Sequence, residues 1–232
     1  MLIEGDGMRL PKETALEDIV YGGHRRVHLV TAIPTLGMVP IEFVVAFGRL
    51  QFPVNGVNES MIVKNMEVGD ARNYVVSEIL KRSEDKRPQY IFFLGDDMLP
   101  PWDGLIKLEE EMATGKWDVL TGLYYWKGEP PMPLVLRNSH VGRLLPGRDY
   151  EVGDVVWVDV SGLDFTLIKV SALAKMKYPW FRTGPTRLHD GKVVKHTEDV
   201  WFGAELKKVG GTWGVHTGVR VAHIDVKSGM VY

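Results

Sequence analysis

The sequence predicts an α/β fold: a mainly parallel central sheet, flanked by helices, in a single domain. Three observations carry this. The chain has 232 residues with 45% hydrophobic and 25% charged residues, enough for one compact domain with a substantial core. Its first half alternates apolar strand-like runs with segments of helical spacing, the pattern of a parallel sheet covered by helices. Tyr90-Ile91-Phe92-Phe93-Leu94 is continuous, aromatic and β-branched, with Pro88 before it and Gly95 after it, as expected of a strand buried on both faces.

Taken in order, residues 1–26 mix acids, bases and glycines and read as a lead-in or a small local element. Val27 to Ala32 is an apolar strand that Pro34 ends. Ile41 to Leu50 has helical spacing, with Phe43, Val44, Phe47 and Leu50 available to one face. Ser60 to Val63 is a short strand, and Asp70 to Arg82 a helix whose apolar positions are Tyr74, Val75, Ile79 and Leu80. Tyr90 to Leu94 follows. Pro100-Pro101 then precedes a helix over Trp102 to Met112, with Leu105 and Leu108 inward, and Asp118 to Thr121 is the next strand. The second half is less regular. Residues 128 to 154 are rich in Gly, Pro and Arg and read as loop with short strands. Val155 to Val160 is a strand, Val170 to Met176 a short helix, and Tyr178 to Lys195 an irregular stretch. Thr197 to Val209 is a helix with Phe202, Leu206 and Val209 on one side, and Val219 to Ile224 a final strand.

Composition removes several function classes. There is no cysteine, so disulfides and thiolate metal ligands are excluded. The net charge of -2 gives no global field favouring nucleic acid. Lys81, Arg82, Lys86 and Arg87 form a local basic group that also reads as a solvated helix end. The N-terminus lacks the apolar stretch of a signal peptide, and the apolar runs are too short to span a bilayer. The expected location is the cytoplasm of the cell or host.

The strongest chemical signal is Leu94-Gly95-Asp96-Asp97-Met98. Ligands of open α/β sheets bind beyond the carboxyl ends of strands. Adjacent carboxylates there can hold a hard divalent cation, although an acidic turn has the same composition. Glu198-Asp199 opens a helix. Acids suit the positive end of a helix dipole, and a carboxylate there is equally a candidate general base. His223 lies in an apolar strand, where it is either structural or a neutral metal ligand. The sequence has no P-loop, no GxGxxG after a strand, no HExxH and no GxSxG.

The order of these pieces resembles the GT-A glycosyltransferases, a Rossmann-like class, and within them the family 2 type. Ala71-Arg72-Asn73 opens a helix before the central strand. Tyr90 to Met98 is similar to the strand and acidic Asp-x-Asp motif of that family, and Pro100-Pro101-Trp102-Asp103 to the segment after it. Gly162 to Leu167 resembles the glycine-containing segment before the acceptor region. Pro179-Trp180-Phe181 and Glu198-Asp199 resemble the aromatic loop and the Glu-Asp motif, and His223 the late metal-binding histidine. The resemblance spans residues 27 to 224. One departure is plain: Gly95 stands where the first acid of Asp-x-Asp is expected.

The resemblance implies a domain over residues 27–232, with a nucleotide-binding half (27–125) and an acceptor half (126–232). It implies that Thr31 to Thr35, Pro34 included, and Arg72 and Asn73 line the nucleotide pocket, with Gly162 also near the donor. Asp97 and His223, with Asp96, would hold Mn²⁺ or Mg²⁺ on the diphosphate of a UDP- or GDP-sugar. Asp96 would also take over the donor contact that Gly95 cannot make. Asp199 would deprotonate the acceptor hydroxyl and Glu198 orient it or contact the sugar; inversion follows from that assignment, with retention the alternative that the same fold also hosts. Trp126, Trp180, Phe181 and Trp201 are either core or sugar-stacking platforms. Two other readings use the same sheet. A sugar nucleotidyltransferase would depend on a triphosphate, for which Ile33-Pro34-Thr35-Leu36-Gly37 is a poor loop. A non-catalytic nucleotide-sugar binder would show no turnover.

Overall fold

The computed structural model describes residues 2–4, 27–54, 56–137, 142–187 and 193–232. Its strands are β1 (Leu2–Glu4), β2 (Val27–Thr35), β3 (Val57–Lys64), β4 (Tyr90–Leu94), β5 (Met98–Leu99), β6 (Val119–Leu123), β7 (Tyr125–Trp126), β8 (Met132–Pro133), β9 (Val135–Arg137), β10 (Gly142–Arg143), β11 (Val155–Trp157), β12 (Val160–Ser161), β13 (Phe165–Lys169), β14 (Gly184–Arg187), β15 (Val193–His196), β16 (Trp213–Arg220) and β17 (Ala222–His223). Its helices are α1 (Ile41–Arg49), α2 (Val68–Leu80), α3 (Gly104–Met112), α4 (Val170–Leu173) and α5 (Glu198–Lys208).

Eight strands form one sheet in the order β1-β3-β2-β4-β13-β6-β16-β11. β1, β3, β2 and β4 run parallel, as do β6 and β16. β13 is antiparallel to both β4 and β6, and β11 to β16. The fold is therefore mixed α/β with a large, mostly parallel sheet covered by helices. Side chains alternate between faces along a strand. Ile91 and Phe93 enter one core, with Val75, Val76 and Ile79 of α2 and Phe202 and Leu206 of α5. Tyr90, Phe92 and Leu94 enter the other, with Phe43 of α1 and Leu105, Leu108 and Met112 of α3. Helices on both faces are why β4 reads as an unbroken apolar run.

Local chemistry sets the helix starts that matter for function. The Glu67 carboxylate accepts hydrogen bonds from Gly69 N (2.7 Å) and Asp70 N (3.1 Å), capping α2 just ahead of Arg72. α5 has Glu198 and Asp199 in its first turn and Lys207 and Lys208 in its last, complementing the helix dipole at both ends.

Several expectations change. Leu2–Glu4, within the expected lead-in, is an edge strand paired with β3; the rest of the lead-in lies outside the described residues. β13 is not among the expected strands, because Thr166 interrupts its short apolar run. Thr166 is tolerated in the core because its hydroxyl meets that of Thr121 at 2.9 Å. The expected strand over Val155–Val160 divides: β11 joins the main sheet and β12 pairs with β9. The expected strand over Val219–Ile224 is the end of β16 followed by β17, which leaves the sheet and pairs with β5. Glycines and threonines at Gly214, Thr217 and Gly218 hide β16 from a reading based on apolar runs. The stretch over Tyr178–Lys195 contains the antiparallel pair β14 and β15. Among the described residues no helix is long and apolar enough to cross a membrane.

Gly203 lets α5 lie directly on the chain before β12. A Cβ there would stand 2.3 Å from the backbone oxygen of Asp159. Gly203→Ala should therefore destabilise the protein by about 1–3 kcal/mol, the usual range for an overpacked contact. Urea denaturation should show a lower midpoint with an unchanged slope.

Candidate functional site

The parallel strands β2 and β4 deliver the chain to one end of the sheet, at Thr35 and Leu94. The turn after β4 carries Asp96 and Asp97 and is fixed by backbone hydrogen bonds. Met98 N donates to Gly95 O, Ile224 N donates to Asp97 O at 2.9 Å, and Met98 pairs with His223 across β5 and β17. This pairing brings two residues 126 apart in sequence into contact: His223 Nε2 lies 3.3 Å from Asp97 Oδ2. His223 Nδ1 lies 3.1 Å from the carbonyl oxygen of Tyr125. A carbonyl only accepts, so Nδ1 carries the proton there. In the doubly protonated ring Nε2 donates to Asp97 Oδ2, and once that proton is lost its lone pair faces the carboxylate. A histidine braced through its other nitrogen, beside a carboxylate oxygen, offers two of the donor types that borderline divalent cations accept.

Lys127 Nζ also reaches Asp97 Oδ2, at 2.5 Å. Burial opposes ionisation of Asp97, but the hydrogen bonds from His223 and Lys127 outweigh it and hold the carboxyl below the usual range. Asp96 does not join the pair. Its carboxylate is hydrogen-bonded with Thr35, and burial, only partly offset by that bond, pushes its pKa up. Of the three metal ligands expected, the structure thus brings Asp97 and His223 together. Among the described residues no group of three or more carboxylate or histidine side chains gathers around one point.

Behind this pair is a buried ion network. Arg72 is 1% exposed. Its Nη1 donates to Glu198 Oε1 and its Nη2 to Asp164 Oδ1, each at 2.5 Å. Burial works against the charge, but Asp164 and Glu198 hold the guanidinium firmly protonated. Its neighbour Asn73 is equally committed. Asn73 Nδ2 donates to Phe181 O at 2.6 Å, and Phe181 N donates to Asn73 Oδ1 at 3.1 Å. Arg72 and Asn73 therefore brace other parts of the site. Thr31 is buried in mid-strand, and its hydroxyl finds no hydrogen-bond partner. It presents no surface to a nucleotide. Pro34, nearer the strand end, is half-buried. Gly162 is buried too: a Cβ there would meet the Tyr124 hydroxyl at 1.7 Å, so its role is to admit Tyr124.

Asp199 sits in the first turn of α5. Its Oδ1 accepts from the Thr197 hydroxyl and from Val200 N. Burial raises its pKa, the Thr197 hydrogen bond works the other way, and the nearby Glu198 charge adds to the rise. A carboxylate so placed is more basic than an exposed one, which suits proton abstraction. Glu198 is held by Arg72, with its other oxygen 3.4 Å from the Thr183 hydroxyl. Trp180 and Phe181 belong to the core. Trp201 lies under the Arg182 guanidinium, and Trp126 is exposed beside Lys127. Asp164, Tyr124 and Lys127 were missed from sequence. Asp164 had one indirect signal, the glycine at position 95. A separate groove of about 410 Å³ between α1 and the start of α3, lined by Val45, Leu99, Pro100 and Trp102, contains none of these carboxylates.

No protein-family model and no curated protein matches the chain significantly. Among solved structures it is similar to A197 from STIV, with a TM-score of 0.58 and 22% identity over 88% of this chain and 93% of that one. That likeness is one of fold.

Two outcomes follow for the site. Arg72→Met removes the cation that Asp164 and Glu198 share and should lower stability by about 3–5 kcal/mol, the range for breaking a buried pair. Chemical denaturation measures it, and the lower end is expected because Asp164 keeps some solvent contact. Asp199 has the opposite sign. Its folded pKa lies above the unfolded value of about 3.9. Its contribution to stability is therefore present below that value and lost as pH rises through the folded pKa. Asp199→Asn should melt higher than the wild type at neutral pH and lose that advantage below about pH 4.

Proposed function

We propose that the protein is a GT-A-type glycosyltransferase that moves a sugar from a nucleoside diphosphate donor to an acceptor hydroxyl, dependent on Mn²⁺ or Mg²⁺. The observation that carries this reading is the meeting of Asp97 and His223, made by the β5–β17 pair at the carboxyl end of the parallel strands. Asp97 Oδ2 and His223 Nε2 would hold the cation. Bound there, a divalent ion neutralises the charge that develops on a diphosphate leaving group. The Lys127 ammonium on the same carboxylate adds a positive charge on that side of the site.

In the transfer, the acceptor oxygen attacks the anomeric carbon of the donor sugar. The bond from that carbon to the phosphate oxygen breaks, and the nucleoside diphosphate leaves with the electron pair. The acceptor proton passes to Asp199, whose second carboxylate oxygen is free of the Thr197 and Val200 hydrogen bonds. Glu198, anchored on Arg72, faces the same acceptor. Direct displacement of this kind inverts the anomeric configuration.

Thermal-shift titration of UDP, GDP and their common hexose derivatives with Mn²⁺ tests the reading. A ligand at about 100 times its Kd adds about 2.7 kcal/mol. For a chain of this size that raises Tm by roughly 5–10 °C. The shift should vanish with excess EDTA and in Asp97→Ala. No shift with any nucleotide, or an equal shift without metal, overturns the proposal.

A further inference from the structure

Gly95 occupies the position where an acid would begin the Asp-x-Asp motif, and the structure supplies the reason. A Cβ on Gly95 would lie 2.8 Å from Asp164 Cβ and 3.1 Å from Asp164 Cγ. Neither neighbour has room to withdraw, because Gly95 N donates to Asp164 O at 2.8 Å and locks the two backbones together. The register places Leu94 opposite Phe165, so Asp164 is the residue immediately beyond the antiparallel β13–β4 ladder. The space over Gly95 is thus filled by a carboxylate from a different strand.

Two side chains hold Asp164. Arg72 Nη2 binds Oδ1. The Tyr124 hydroxyl accepts from Asp164 N at 3.1 Å and lies 3.4 Å from Oδ2. Gly162 leaves the room that Tyr124 needs, since a Cβ there would strike the phenol. Oδ1 is committed to Arg72, whereas among the described residues Oδ2 has only the long contact with Tyr124. The side chain is 31% exposed, while its partner Arg72 is 1% exposed. Its backbone bond to Gly95 sets Asp164 against the turn that carries Asp96 and Asp97. Asp96, the residue expected to compensate for Gly95, is hydrogen-bonded with Thr35.

We propose that Asp164 is a sugar-binding residue, its Oδ2 accepting hydrogen bonds from hydroxyls of the transferred hexose in place of the acid missing at position 95. This rests on the glycosyltransferase reading. A rigidly held carboxylate oxygen with open lone pairs suits the hydroxyls of a polyol.

The test compares two probes by calorimetry in the presence of Mn²⁺: UDP or GDP alone, and the corresponding hexose conjugate (UDP-glucose, UDP-N-acetylglucosamine or GDP-mannose) that the wild type binds. Asp164→Asn should leave the affinity for the nucleoside diphosphate within about twofold. It should weaken the hexose conjugate about 10–100-fold, the loss expected for a hydrogen bond to a charged group. Tyr124→Phe, which keeps the ring and removes the brace, should show the same selective loss to a smaller degree, and it decides the matter if Asp164→Asn does not fold. Equal losses for both probes would make Asp164 a structural or metal-binding residue and overturn the proposal. No loss for either would also overturn it. If the wild type binds neither probe, the glycosyltransferase reading falls first, and the role of Asp164 with it.

Discussion

The arrangement of the site depends on one buried cation. Arg72 projects from α2 into the protein and forms two short ion pairs, with Asp164 at the head of β13 and Glu198 at the head of α5. These three elements are far apart in sequence, and the guanidinium fixes where two of them begin. A planar guanidinium suits this task because its fork addresses two carboxylates at once and stays charged when desolvated. Burying it without partners would be prohibitive. The acids are therefore required by the fold as well as being available to the chemistry. The Phe93 ring lies 5.7 Å from the guanidinium carbon and covers it from the sheet side.

The cost of that arrangement is visible in the other groups. Asp96, Asp164 and Asp199 all have raised pKa values, each chiefly through burial, and each lies near another carboxylate. Asp97 is shifted the other way, because its hydrogen bonds with His223 and Lys127 outweigh its burial. Carboxylates whose charges raise one another's pKa are unfavourable for stability, and such shifted acids gather at functional sites. Gly95 and Gly162 belong to the same device. Each leaves out a side chain so that another group, Asp164 or Tyr124, can stand where it does.

The sequence made some of this legible and concealed the rest for physical reasons. Strands buried on both faces, such as β4, announce themselves by continuous apolar runs, and helices such as α2 and α5 by their spacing. Asp97 and His223 were identifiable because their neighbours are apolar and their order along the chain is distinctive; the structure brings them into contact. Arg72 and Asn73 were also singled out, but pattern alone could not say which way they point. They turn inward to brace the site. Asp164 was invisible because it is a lone acid just before β13, and its place opposite Gly95 depends on an antiparallel register. Lys127 lies in a loop, where no periodicity constrains it. Contacts that cross between distant strands are set by tertiary packing, which local pattern does not encode.

The proposed function requires Asp97 and His223 to hold a divalent cation on a nucleoside diphosphate. Anomalous diffraction at the manganese edge, from crystals grown with Mn²⁺ and UDP or GDP, tests it most directly. The account predicts an anomalous peak within about 2.0–2.3 Å of both His223 Nε2 and an Asp97 carboxylate oxygen, the usual range for such ligands, with the Lys127 ammonium displaced from that oxygen. A peak that leaves either residue outside coordination distance, or nucleotide density with no peak beside Asp97, would contradict it.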